Sequence, residues 1–350
     1  MIRTYFLGAN TPDGFRSEYD GLQRDQRIRR LIILKGGSGC GKSTLMRRVG
    51  AKAEALGLKR EEIICSSDPD SLDGLLVPEL GLALVDGTAP HVVEPVLCGC
   101  GANYLNLGVY YREAALSAIA PALRKEKAAN RACYGPAYGC LAAAAAVSAV
   151  IRQLAEPVKP KHLTELALPQ LPQPSTSGVK NTGAIRRCFL SGITPNGLLR
   201  LNADCESLWC IRDSFGLGSG LIQRLADQWH ACGADIVLAM DPMDPETPSG
   251  LFVPSEELGF LRTDPAFGDD SALLCLDLDQ AVAAAVSSDV CDRACQLLRQ
   301  RKQLMREAVH WLEEAKRHHD RLEELYRPSV DFDGLNEEAE ELIEGMLEEV

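Results

Sequence analysis

The chain is written twice. FLGANTPDG at 6–14 returns as FLSGITPNG at 189–197, with Phe, Leu, Thr, Pro and Gly in register. DPDSLDGLLVPE at 68–79 returns as DPETPSGLFVPS at 244–255, with Asp-Pro, Gly-Leu and Val-Pro at the same spacing. YLNLG at 104–108 answers LLCLD at 273–277, and each half then turns helical up to a proline, Pro157 in one and Pro328 in the other. Self-similarity in preserved order marks a duplicated unit, and 350 residues suit two domains better than one. Between the copies, LPQLPQPSTSGVKNTG is too rich in Pro, Ser and Gly to bury apolar surface and reads as an exposed linker. The expected organisation is a unit over 1–167, a linker over 168–183 and a second unit over 184–350.

Within each unit the pattern is strand, helix, strand, loop, strand, then a helical excursion. LIIL at 31–34 is a continuous apolar run, as in strands buried on both faces of a parallel sheet. Leu45, Met46, Val49, Ala53 and Leu56 recur at helical spacing up to a stop at Gly57. EIICSS at 62–67 and LALVD at 82–86 supply further strands. Alternating strands and helices imply crossovers, hence an α/β fold with mostly parallel sheets and a helical hairpin excursion in each unit. The second excursion, roughly 284–326, carries Leu297, Leu298, Leu304, Met305, Trp311, Leu312, Leu322 and Leu325 as a stripe among many charges, and an acidic helix closes the chain.

Between LIIL and the first helix stands GGSGCGKST, residues 36–44, which fits G-x-x-x-x-G-K-[ST] with Gly36, Gly41, Lys42 and Ser43 at the fixed positions. The glycines let the backbone curl and turn its N–H groups inward, and the start of a helix adds unpaired amides and a positive dipole end. Gly36, Gly37, Ser38, Gly39, Cys40, Gly41, Lys42, Ser43 and Thr44 are therefore the candidate phosphate cradle. In it Lys42 would lie along the β- and γ-phosphates, and the Ser43 hydroxyl would ligate Mg²⁺. The Mg²⁺ in such sites is steadied by an Asp ending a neighbouring strand, and Asp86 at the end of LALVD takes that role. Metal ligands are thus Ser43 and Asp86, and catalytic candidates are Lys42, Asp86 and His91.

On these elements the first unit resembles a P-loop NTPase domain. Through GxNTPDG, GGSGCGKST, SSDPDSLDG and VDGTAPH, the whole chain resembles a poorly characterised bacterial family of tandem P-loop ATPase-like proteins. That resemblance implies nucleotide binding and leaves the client open. The second copy departs from it. GCGKSTLMRR aligns with GLGSGLIQRL at 216–225, so Ser219 stands for Lys42 and Gly220 for Ser43, and the charge and the Mg²⁺ hydroxyl are both lost. Asp68 persists in that degenerate copy as Asp244, or alternatively Asp241, which favours a turn over a catalytic base. The residue after Asp86 is Gly87, where fast ATPases of several P-loop classes carry a water-orienting Glu; His91 and Glu94 are the nearest polar substitutes. Arg47, Arg48, Arg299 and Arg301 are available as an arginine finger. No N-K-x-D lock for guanine occurs, so ATP is the expected nucleotide.

Composition narrows the partners. A net charge of −12 argues against a nucleic-acid surface despite the basic RDQRIRR at 24–30. The apolar run CLAAAAAVSAVI at 140–151 is short of a bilayer span. Thirteen cysteines and no signal peptide at the start suit reduced thiols in a cytoplasmic protein. Cys98 with Cys100, and Cys291 with Cys295, lack zinc spacing and read as buried thiols, whereas Cys40 is expected beside the phosphates. The leading functional expectation is a Mg²⁺-dependent ATP-binding protein, a slow or partner-stimulated ATPase acting as a switch. A P-loop kinase, with 112–156 as lid over a small-molecule acceptor, and a non-hydrolysing sensor or scaffold are the alternatives.

Overall fold

A computed structural model describes residues 2–174, 183–267 and 274–347; half of the expected linker, 175–182, lies outside these. The first unit runs β1 (Thr4–Tyr5), β2 (Gly8–Thr11), β3 (Gly14–Ser17), β4 (Arg30–Lys35), α1 (Lys42–Ala55), β5 (Glu61–Ile64), β6 (Leu72–Val77), β7 (Leu82–Asp86), β8 (Ala102–Asn106), α2 (Glu113–Leu154) and α3 (Pro160–Ala167). The second runs β9 (Ile185–Cys188), β10 (Ser191–Thr194), β11 (Gly197–Arg200), β12 (Ser207–Arg212), α4 (Ser219–Ala231), β13 (Ile236–Asp241), β14 (Asp244–Val253), β15 (Leu258–Thr263), β16 (Leu274–Asp277), α5 (Leu278–Ala285), α6 (Ser288–Tyr326) and α7 (Phe332–Leu347).

Each unit builds a six-stranded sheet, ordered β1-β5-β6-β7-β4-β8 in the first and β9-β13-β14-β15-β12-β16 in the second. The two orders correspond strand for strand. Pairings are parallel except around β6 and β14, which run antiparallel to both neighbours. The sheets are therefore mixed, mostly parallel. LDGLLV in β6 is buried at every residue, so a stretch that sequence marks only as a repeated motif is in fact an inner strand. Leu31 to Leu34 of β4 are likewise all buried, with β7 on one side and β8 on the other.

One face of the first sheet, with Ile32, Leu34, Leu75 and Leu84, packs on Leu45, Met46, Val49 and Ala53 of α1. Its other face, with Ile33, Ile63, Leu76 and Val85, meets Leu190, Val237, Ala239 and Phe252 of the second unit. The units thus share a core. At their junction Phe6 and Phe189, equivalent residues of the repeated FL…TP.G stretch, exchange both backbone hydrogen bonds, at 2.9 and 2.8 Å. A pair of equivalent residues bonded reciprocally marks a pseudo-two-fold axis. Both side chains are fully buried, each favouring the folded state by about 1.5–3 kcal/mol.

Each excursion contributes one long helix, and the two pair with each other. α2 and α6 lie antiparallel: Glu126 meets His318, Asn130 bonds the Ala315 carbonyl, and Ser148 meets Arg301. Ala137, Leu141 and Ala144 pack there against Met305, Ala308 and Leu312. The short helices are exchanged too, since α3 packs on α4 and α7 on α1. Leu171, inside the expected linker, is 3% exposed and belongs to the core of the second unit. Among the described helices α2 is the one long and apolar enough to cross a membrane by length and composition.

Candidate functional site

The loop between β4 and α1 turns through two left-handed glycines, Gly39 at φ 71° and Gly41 at φ 86°. Only glycine adopts that backbone without strain, and it directs successive N–H groups to one side. α1 begins at Lys42, with Gly41 as its N-cap. The Lys42 ammonium donates to the carbonyls of Gly36 and Gly37, each at 2.9 Å, and lies 3.5 Å from Asp86 Oδ2. Asp86 reaches this point because β7 pairs with β4 in the register Leu34–Asp86. Its other oxygen accepts from the Thr88 amide at 2.8 Å and hydroxyl at 2.6 Å. Ser43 Oγ accepts from the Leu72 amide at 3.0 Å, and Thr44 is exposed. Lys42, Asp86 and the loop are thus brought together as sequence predicts. Cys40 is not open to solvent: it is 1% exposed, its sulfur turned toward Lys42 at 3.8 Å.

Gly87 has a steric reason. A Cβ there would stand 2.3 Å from Ile33 Cγ2, inside the core, so the position admits no side chain without a shift. His91 is 6% exposed, its Nε2 is 3.1 Å from Asp73 Oδ2, and Phe15 and Tyr19 pack against its ring. Burial alone would depress the imidazole pKa, but the charge and hydrogen bond of Asp73 outweigh it and hold the pKa above the ordinary value. Glu94 is taken by Lys35, at 2.8 Å. Asp68 is a turn residue, accepting from the Ser71 amide and hydroxyl, and pairs with Lys316 of α6 at 3.1 Å.

The outer side of the loop is covered by the helical arms. Tyr111 donates to the Ser38 carbonyl at 3.2 Å and stacks on Tyr326. Glu323 of α6 packs on the loop, its Cα and carbonyl 3.4 Å from where a Gly39 side chain would begin, and its carboxylate lies 3.5 Å from His319 Nε2, the neighbour that chiefly holds its pKa below the usual carboxylate value. Arg48 bonds Asn336 and pairs with Glu340 of α7, and Arg301 pairs with Asp264 in the second unit, so neither is a free finger. Among the described cysteines all are free thiols, but Cys98, Cys100 and Cys295 are exposed and Cys291 partly so, contrary to the buried thiols expected.

The corresponding loop of the second unit holds an anion of its own. Counting back from Gly41–Gly218 puts Asp213 at the position of Gly36, and the shared register puts Arg262 at that of Asp86. Asp213, its side chain 1% exposed, accepts from the amides of Leu217 and Gly218 at 2.8 Å each and from Arg262 Nε at 2.8 Å. The amides that would cradle phosphate are satisfied internally. Beside them lies a cavity of about 440 Å³ lined by Asp213, Ser219, Asp241, Arg262, Arg301 and Arg152 of α2.

No family model, curated protein or solved structure matches the chain. The chain is two tandem α/β units, each with a mixed, mostly parallel six-stranded sheet. Sequence comparison that begins at Gly216 misses Asp213 and Arg262; extending the alignment upstream by three residues, and through the paired strands, finds both.

Proposed function

We propose that the first unit binds Mg·ATP on the Gly36–Thr44 loop and hydrolyses it slowly, or when a partner stimulates it, as a nucleotide-dependent switch. The observation that carries this reading is the placement of Lys42. A buried-side ammonium directed at two loop carbonyls and the Asp86 carboxylate is poised to exchange those acceptors for phosphate oxygens. The Ser43 hydroxyl and the Asp86 carboxylate are hard oxygen donors of the kind Mg²⁺ takes, and the second unit lacks equivalents of both. Bound there, Mg²⁺ would offset phosphate charge. Slow turnover follows from Gly87, because no carboxylate stands next to Asp86 to orient water.

The switch lies in the arm. Glu323 packs directly on Gly39 of the loop, so a nucleotide seated there would press on the end of α6. The Lys316–Asp68 pair ties the same helix to the turn before β6. ATP affinity and turnover of Lys42→Ala against the parent chain test the proposal. Loss of a charge-assisted contact to phosphate predicts affinity lower by about 10–100-fold; parent-like affinity and turnover together would remove it.

A further inference from the structure

Cys65, Asp73 and His91 are far apart in sequence and adjacent in space. Cys65 follows β5, Asp73 lies on β6 and His91 follows β7, and these three strands are consecutive in the sheet. The Cys65 sulfur, a carboxylate oxygen of Asp73 and a ring nitrogen of His91 all lie within 4.8 Å of one another, with the residues 8, 4 and 6% exposed. With His91 buried against Asp73 and not held for catalysis as sequence suggests, the nucleotide reading leaves this cluster unused.

We propose that these three side chains form a metal site for one Zn²⁺-class ion. Ligand chemistry selects the metal: one thiolate, one imidazole and one carboxylate suit zinc or a neighbouring transition ion and not Mg²⁺ or Ca²⁺. Geometry agrees. Two ligands bonded tetrahedrally at about 2.0–2.1 Å stand about 3.3 Å apart, and His91 Nε2 is 3.1 Å from Asp73 Oδ2. The other ring nitrogen, Nδ1, is buried with no hydrogen-bond partner, so Nε2 is the nitrogen that faces Asp73. The support shell is in place, with Tyr19 donating to Asp73 Oδ2 at 3.1 Å and the His91 ring packed against Phe15 and Tyr19. Three protein ligands would leave a fourth position for water.

The site is confined to the unit with the intact lysine. By offset from the paired glycines Gly74 and Gly250, the second unit carries Asp241 where Cys65 stands and Ser249 where Asp73 stands. In the first unit the His91 amide bonds the Thr88 carbonyl at 3.0 Å, and Thr88 in turn bonds Asp86. The ion would clamp the loop after β7 to β5 and β6 and so fix Asp86.

The test is Co²⁺ titration of the reduced, chelator-treated full chain, read by the thiolate-to-cobalt charge-transfer band, with Zn²⁺ as competitor. The expected result is one ion per chain, a band lost in Cys65→Ser and retained in the Cys98→Ser/Cys100→Ser control, and affinity reduced about tenfold or more in His91→Gln. Should Cys65→Ser fail to fold, Asp73→Asn is judged by the same loss of affinity. Absence of a band in the parent chain, or a band that survives Cys65→Ser and disappears in the control, overturns the proposal. Neither readout depends on ATP, so failure here is distinct from failure of the nucleotide reading.

Discussion

Replacing Asp213 by Ala probes whether the second loop is held by its own carboxylate. The carboxylate accepts three hydrogen bonds at 2.8 Å, two from amides and one from the Arg262 guanidinium, with 1% of the side chain exposed. Hydrogen bonds to a charged partner contribute about 1.5–3 kcal/mol each, but the three share one acceptor and do not add. Removing one member of a buried ion pair costs about 3–5 kcal/mol, because the survivor stays buried without compensation. Among the described residues Arg262 keeps Asp241, at 3.9 Å, a long contact to the Pro248 carbonyl and the more distant charge of Asp264. The expected loss for Asp213→Ala is therefore about 3–5 kcal/mol. Urea unfolding followed by tryptophan fluorescence is the assay, since Trp209 lies on β12 and Trp229 on α4 of the affected unit. Adding Arg262→Met removes the stranded charge while keeping apolar volume, and the double variant should recover about 1–3 kcal/mol of the loss. A cost under about 1 kcal/mol for Asp213→Ala, or a double variant no more stable than the single one, would refute the internal-anion account.

Glu323→Gln removes a negative charge from the residue packed on Gly39, so repulsion of a bound polyphosphate falls and ATP affinity measured by calorimetry should rise about three- to tenfold. Gly87→Glu should not create a fast ATPase; its Cβ collides with Ile33, so a thermal melt should show about 1–3 kcal/mol of destabilisation and turnover should not increase. Asp25 supplies a pH test. Burial would raise its carboxyl, but hydrogen bonds and charge from Arg27 outweigh that and hold its folded pKa below the usual aspartate value. Its contribution is then complete above the unfolded pKa and lost as pH falls through the folded one. Asp25→Asn should accordingly be less stable than the parent near neutrality, and the gap measured by urea unfolding should close as pH drops below about 4.

The parts of the fold that are legible in sequence are those governed by local pattern. LIIL, the amphipathic run after Lys42 and LALVD become β4, α1 and β7 because continuous burial and helical spacing are written in adjacent residues. β6 escapes because LDGLLV carries a glycine and an aspartate, residues that depress strand propensity, yet closure between β5 and β7 buries all six positions. Lys42 and Asp86 are found by motif and strand end. The Cys65–Asp73–His91 cluster and the Glu323 contact are invisible to such reading, since strand order and helix exchange, rather than spacing, create them. The stripe on α6 shows which face seeks a partner; it cannot say that α2 of the other half supplies it.

The crossing of helices between the halves separates two notions of connectedness. Each long helix, with the short one after it, serves the loop of the opposite unit, so severing the polypeptide between the units leaves two fragments that are each missing a wall. Such fragments, mixed, should reassemble by complementation, with α2 seated on α6 and the two phenylalanines re-forming their bridge. Integrity is conferred by interlocked packing across the dyad.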